Sequence, residues 1–154
     1  MVKKVSLHQI LEATNSNELF KNYFKAGSEG LLPNQNVCKE VFYSMDKAGL
    51  IDCFGVFNNS ILVGFIIAST TVMPHYSLLG TTVISIYIEK EFRRFGTAKE
   101  LIKCVELEAI KRKSSAVIVS TPASSKFGLF TSKLGYKKVN EIYGKALWIY
   151  SIQK

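Results

Sequence analysis

Residues 83–112 read VISIYIEKEFRRFGTAKELIKCVELEAIKR, and this stretch decides the fold. It opens as an apolar, β-branched run over residues 83–88, the composition of a buried strand. A charged turn, Glu89-Lys90-Glu91-Phe92, leads into Arg93-Arg94-Phe95-Gly96-Thr97-Ala98. From Thr97 the apolar residues recur at helical spacing, which predicts an amphipathic helix ending around Lys113. Where a strand hands the chain to a helix, the first N–H groups of that helix have no carbonyl partner inside it. Those donors, the positive end of the helix dipole, and Arg93 and Arg94 alongside make a site for a phosphorylated ligand.

Upstream, residues 51–57 and 60–71 alternate or run apolar on either side of Asn58-Asn59, which predicts a β-hairpin. Residues 72–79 (VMPHYSLL) read as a loop into the strand over 80–88. Before the hairpin, residues 6–23 carry helical spacing interrupted at 14–17, residues 27–36 read as a loop, and 38–48 as a helix ended by Gly49. A short extended segment over 3–7 is the one place for an earlier strand. Downstream come a short buried strand over 116–120, a helix over 124–134 with Ser124 as N-cap and Gly135 as stop, and two strands, 137–143 and 146–152, joined near Gly144. An antiparallel hairpin feeding a β-α-β unit implies an α/β (α+β) fold, with a mixed, mostly antiparallel sheet and helices on both faces. The expected organisation is one domain over 1–154, with a helical part over 1–49 and the core over 50–154.

Composition narrows the class. Hydrophobic content of 47% with 12% aromatics excludes a disordered chain. The longest apolar run, residues 61–68 (ILVGFIIA), is too short to span a bilayer, and the first residues lack a signal-peptide core. Cys38, Cys53 and Cys104 are odd in number and without metal-type spacing, which points to reduced thiols in a cytoplasmic protein with no metal site. The net charge of +8 draws in polyphosphates and nucleic acid alike. The lysines fall in short runs that end elements, so solvated surface charge is the preferred reading over a nucleic-acid footprint.

Arg93-x-x-Gly96-x-Ala98 resembles the Q/R-x-x-G-x-G/A pattern of the GNAT N-acetyltransferases, where it wraps the pyrophosphate of acetyl-CoA. Residues 86–93 also resemble that family's strand-to-loop approach, with Lys90 where proline is frequent. Ser124-x(6)-Thr131-x(3)-Gly135-Tyr136 is similar to its second run, N-x(6)-Y-x(3)-G-F/Y; Ser124 replaces the asparagine and Thr131 the thiolate-protonating tyrosine. The resemblance covers residues 50–150 and implies a GNAT-like fold transferring acetyl from acetyl-CoA to an amine by direct attack. It implies that Arg93, Arg94, Phe95, Gly96, Thr97 and Ala98 hold the pyrophosphate, and that Ser124 and Phe127 line the coenzyme. A bulged fourth strand would present the Ile86 N–H to the acetyl carbonyl, with Tyr87 and Ile88 beside the pantetheine. Phe127, Phe130 and Leu134 read equally as core.

Water-relayed deprotonation is the leading expectation for the amine, with Glu89, the nearest carboxylate, as the side-chain candidate for a base and Thr131 the position for an acid. His75, in the 72–79 loop, reads first as an exposed loop histidine, with a place in the acceptor cleft as the alternative. Thr131 and the absent base also allow a catalytically weak CoA-binding or nucleic-acid-associated module. The implied partners are acetyl-CoA and an amine acceptor, for a monomer or homodimer away from membranes.

Overall fold

The apolar run ILVGFIIA becomes the centre of a sheet because both of its faces are covered. The computed structural model describes residues 1–27, 36–93, 96–122 and 125–147. Its strands are β1 (Val2–Val5), β2 (Ile51–Asn58), β3 (Ile61–Met73), β4 (Leu78–Ile88) and β5 (Val117–Val119). They lie side by side in sequence order, antiparallel except for the parallel β4–β5 pair. The helices are α1 (Leu7–Leu11), α2 (Ser16–Gly27), α3 (Lys39–Lys47), α4 (Thr97–Lys111) and α5 (Lys126–Lys133), with a 3₁₀ turn over Lys90–Phe92.

Alternation along β3, reversed once by the extra residue Val63 in its pairing with β2, divides the core in two. Leu62, Phe65 and Ile67 join Leu7, Ile10, Leu11, Leu19 and Phe20 beneath α1 and α2. Val63, Ile66 and Ala68 join Leu101, Ile102 and Val105 beneath α4, with Phe127, Phe130 and Leu134 of α5 packed alongside. Burying one such aliphatic side chain contributes roughly 1.5–3 kcal/mol, so β3 anchors both layers. Helices therefore cover both faces, as the order of elements implies.

Several boundaries differ from the sequence reading. The break between α1 and α2 falls at residues 12–15, where the Asn15 side chain donates to the Leu62 carbonyl at 2.8 Å. The first hairpin turns at Asn59-Ser60, one residue later than expected, with φ of 46° and 68° and Asn58 paired to Ile61. Positive φ at both positions is what a two-residue hairpin turn requires. Residues 72–79 are not a loop: Val72 pairs with Leu79 and Met73 with Leu78, leaving a tight turn over 74–77. The sheet begins at β1, so residues 1–49 are not purely helical. β5 is half-buried rather than buried, as an edge strand is.

The largest departure is at the far end. Residues 137–143, expected as a strand, form none, and Val139, Ile142 and Tyr143 are exposed. A strand needs an edge to pair with. β5 offers three residues, and they already pair with Thr81–Val83 on the other side. The expected strand over 146–152 lies mostly outside the described residues. Among the described residues no helix is long and apolar enough to cross a membrane.

Candidate functional site

β4 is paired differently along its length. Thr81, Thr82 and Val83 pair with β5 as well as β3; beyond Val83, β4 has β3 alone among the described residues. At that point the β3–β4 register shifts: Ala68 faces Val83 and Ile67 faces Ser85, so Ile84 is an extra residue. The bulge reverses the alternation that follows. Val83 lies in the α4 core and Tyr87, four residues on, in the α1–α2 core, whereas a regular strand would put both on one face.

The same reversal turns the backbone. The Glu89 N–H donates to the Val63 carbonyl at 2.9 Å, so every second residue back, Tyr87 and Ser85, also faces β3. Ile86 and Ile88 then present their N–H and C=O groups to the edge that β5 has left. Gly64, opposite Ile88, lies tight against β4: a Cβ there would meet the Tyr87 carbonyl oxygen at 2.9 Å.

The helix that follows opens beside this edge. Gly96 is its N-cap at φ 105°, a conformation glycine adopts without the cost a Cβ imposes. Gly96 has no side chain to cap with, so the first-turn N–H groups, Thr97 and Ala98 among them, lack a side-chain cap from that position. The opposite end of α4 is stitched down. Arg112 Nε lies 2.6 Å from Asp52, which is only 5% exposed, and Lys4 reaches both Asp52 and Glu108.

Arg93 does not extend outward. Its Nε donates to the Ile88 carbonyl at 2.7 Å, and its guanidinium lies 5.4 Å from the centre of the Tyr87 ring. Arg94, Phe95 and Ser124 lie outside the described residues; the N-cap of α5 is Ser125, whose hydroxyl accepts from the Gly128 N–H. Phe127 stacks on Phe130 at 5.8 Å against the α4 core, in line with a packing role. Tyr87 is not on the open edge: its backbone faces β3 and its side chain faces α2, where its ring sits 6.3 Å from Tyr23. Thr131 is buried and its hydroxyl donates to the Gly128 carbonyl of its own helix, so that proton is already engaged. His75 sits in the exposed turn beyond the opposite end of the 11-residue β4, on the order of 30 Å from Ile88, and cannot line a cleft there.

Glu89 occupies the α2 side of the strand end. Asn22 Nδ2 donates to one carboxylate oxygen at 3.0 Å and the Tyr87 hydroxyl to the other at 3.1 Å. Burial, and then the bond to Glu89, push the Tyr87 hydroxyl above its ordinary pKa, so it remains a donor. Asn22 carries no sequence signal for this place; only the packing of α2 brings it here.

No family model and no curated protein matches the sequence. Solved structures do. The chain resembles a ribosomal-protein-alanine N-acetyltransferase from Brucella melitensis biovar Abortus 2308 at 19% identity and a TM-score of 0.66, over 93% of this chain and 96% of that one. It resembles a GNAT family acetyltransferase from Staphylococcus aureus subsp. aureus USA300_TCH1516 at 13% identity and a TM-score of 0.67, over 96% and 98%. It also resembles AAC(6')-Iy in complex with the bisubstrate analogue CoA-S-monomethyl-acetylneamine, at 15% identity and a TM-score of 0.64, over 93% and 94%. The fold of this chain is theirs.

Proposed function

We propose that this chain, having the GNAT fold, belongs to the GNAT acetyltransferases and transfers an acetyl group from acetyl-CoA to an amine. The observation that carries the reading is a coincidence of three features at one corner. The bulge at Ile84 faces the Ile86 and Ile88 amides outward, β5 ends at Val119, and the uncapped N-terminus of α4 begins just beyond. Main-chain donors without partners are what a diphosphate and an extended amide arm bind. Thr97 and Ala98 N–H would hold the pyrophosphate, with Gly96 keeping the approach clear of a side chain. Ile86 and Ile88 would pair with the pantetheine as an added strand does. The coenzyme supplies the activated acyl group as a thioester.

In the step itself the amine nitrogen bonds to the acetyl carbon, and the carbon–sulfur bond breaks. The Ile86 N–H, aimed at the developing oxyanion, stabilises it. Glu89, at the strand end, takes the amine proton directly or through water. Thr131 has its hydroxyl committed to Gly128, so the departing thiolate takes its proton from solvent. That commitment also favours a second reading, a CoA-binding module with weak turnover. A reducing, cytoplasmic setting fits three cysteines that are all free thiols.

Titration calorimetry with acetyl-CoA, followed by thiol release with an amine panel, separates these outcomes. Binding with amine-dependent thiol release is expected; binding without release leaves the module, and no binding overturns both.

A further inference from the structure

Charge is missing from the middle of the sequence. Between Asp52 and Glu89 there is no Asp, Glu, Lys or Arg, in a chain with 20 basic and 12 acidic residues. Burial accounts for this along most of β3 and β4, and ceases to at Thr70 and Thr81. Beyond them the two strands run on as a bare ribbon, because β2 pairs no further than Ser69 and β5 begins at Val117, opposite Thr81. On it Val72 is 60% exposed, Leu78 49%, and Tyr76 in the turn 70%. Val72 pairs with Leu79 and Met73 with Leu78, so Val72 and Leu78 lie on opposite faces. Both faces and the tip thus expose apolar side chains. Elsewhere such side chains sit among charges, as Leu107 and Ile110 do beside Glu106 and Lys111.

The base of the ribbon is ringed with cations. The Leu79 carbonyl accepts from the Ser115 N–H at 2.8 Å and the Ser114 hydroxyl at 3.4 Å, directly after Lys113. On the other strand the Thr70 N–H donates to the Leu50 carbonyl at 2.9 Å. Arg112 donates to the neighbouring Gly49 carbonyl at 2.7 Å, two residues past Lys47. The carboxylates Asp52 and Glu108 are taken up by Lys4, Lys111 and Arg112. Lys47 and Lys113 are exposed and form no ion pair among the described residues.

We propose that this ribbon docks the chain on an anionic lipid surface. Val72, Tyr76 and Leu78 sit at headgroup level, and Lys47 and Lys113 face the lipid phosphates and carboxylates. A protein groove covers one face of a ribbon, whereas a bilayer interface surrounds both. A second copy docked here would bring two cationic rings together. Residues 71–73 carry the ribbon about 10 Å past Thr70 at a strand's rise. Interfacial segments settle at a depth of about 5–10 Å. The contact is peripheral and needs no crossing helix, and no described helix can cross a membrane. It does not rest on the acetyl-transfer reading: the open edge of β4 lies at the other end of the strand and stays in solvent.

The test sediments the full chain with vesicles of phosphatidylcholine containing about 30 mol% phosphatidylserine, and with phosphatidylcholine alone. Binding about tenfold tighter to the anionic vesicles is expected. Tyr76→Ser and Leu78→Ser should each weaken it roughly tenfold. Lys47→Gln combined with Lys113→Gln should weaken it about thirtyfold. Melting temperature and acetyl-CoA affinity should not change in any of them, since all four side chains are exposed and far from the open edge. No binding, or equal binding to neutral vesicles, overturns the proposal. So does a loss on removing the lysines while both serine variants bind like the wild type, which marks a general basic surface. A dimer in lipid-free sedimentation that Leu78→Ser dissolves assigns the face to a second copy and overturns it as well.

Discussion

The two halves of β4 lie in one strand and do different work. Thr81–Val83 are paired on both edges, and the buried Thr70 and Thr81 hydroxyls bond each other at 2.8 Å. Among the described residues, Ser85–Ile88 are paired on one edge only. One extra residue, Ile84, separates them. α4 repeats the contrast: its C-terminal end is tied to the sheet by Arg112 and Asp52, and its N-terminal end is uncapped. Stability is concentrated at one end of the β4–α4 unit and unsatisfied backbone at the other, and a binding site needs both.

Proline breaks that contrast most sharply. The Val83 N–H faces β5 by alternation from Thr81, whose N–H donates to the Ala116 carbonyl at 2.9 Å. Val83→Pro should cost ~3 kcal/mol or more in a denaturant melt. Ile86→Pro removes a donor that no strand uses, so it should cost less. If the amide stabilises the oxyanion, turnover should fall by about 10²–10³. Equal destabilisation by the two would erase the distinction between the halves.

Arg112→Ala attacks the stitched end. It leaves a buried Asp52 with Lys4 as its remaining cation at 3.3 Å. Breaking a buried pair costs ~3–5 kcal/mol, and Lys4 should hold this loss to about 2–3 kcal/mol. Acetyl-CoA affinity should not change, because the lesion is at the other end of α4.

The smallest effect is pH dependence of the same stitch. The hydrogen bond from Lys4 holds Glu108 below its usual carboxylate range, and Glu108 in turn raises Lys4. Glu108 therefore contributes stability above the unfolded carboxylate value of about 4.3, lost as pH falls through its depressed folded value. Lys4 contributes below the unfolded lysine value of about 10.4, lost as pH rises through its raised one. A melting-temperature profile should be flatter at its acid end in Glu108→Gln than in the wild type, by an amount within about 1 kcal/mol.

The strand–turn–helix of residues 83–112 was legible because its hydrophobic period changes from two to helical around a glycine that ends up at φ 105°. The bulge was not legible from composition: Val83 and Ile84 side by side look like any buried strand, and only register shows the extra residue. Its existence was implied by a family resemblance instead. Asn22 escaped because its role depends on how α2 lies over β4, a tertiary fact. His75 is exposed, as a lone loop histidine is expected to be; its alternative place in the acceptor cleft fails because the pairing of Val72 and Met73 pulls the 72–79 segment, which reads as a loop with Pro74 in it, into a hairpin at the far end of β4. Residues 137–143 read as one strand of a hairpin turning near Gly144, but a local pattern does not supply an edge to pair with.

The account turns on which backbone amides receive the coenzyme. An amide NMR titration of the ¹⁵N-labelled chain with acetyl-CoA reads this directly. The amides of Ile86, Ile88, Thr97 and Ala98 should shift with saturation, with Thr81 and Val83 nearly still. Saturable binding that leaves those four unmoved, or no binding at all, would contradict it.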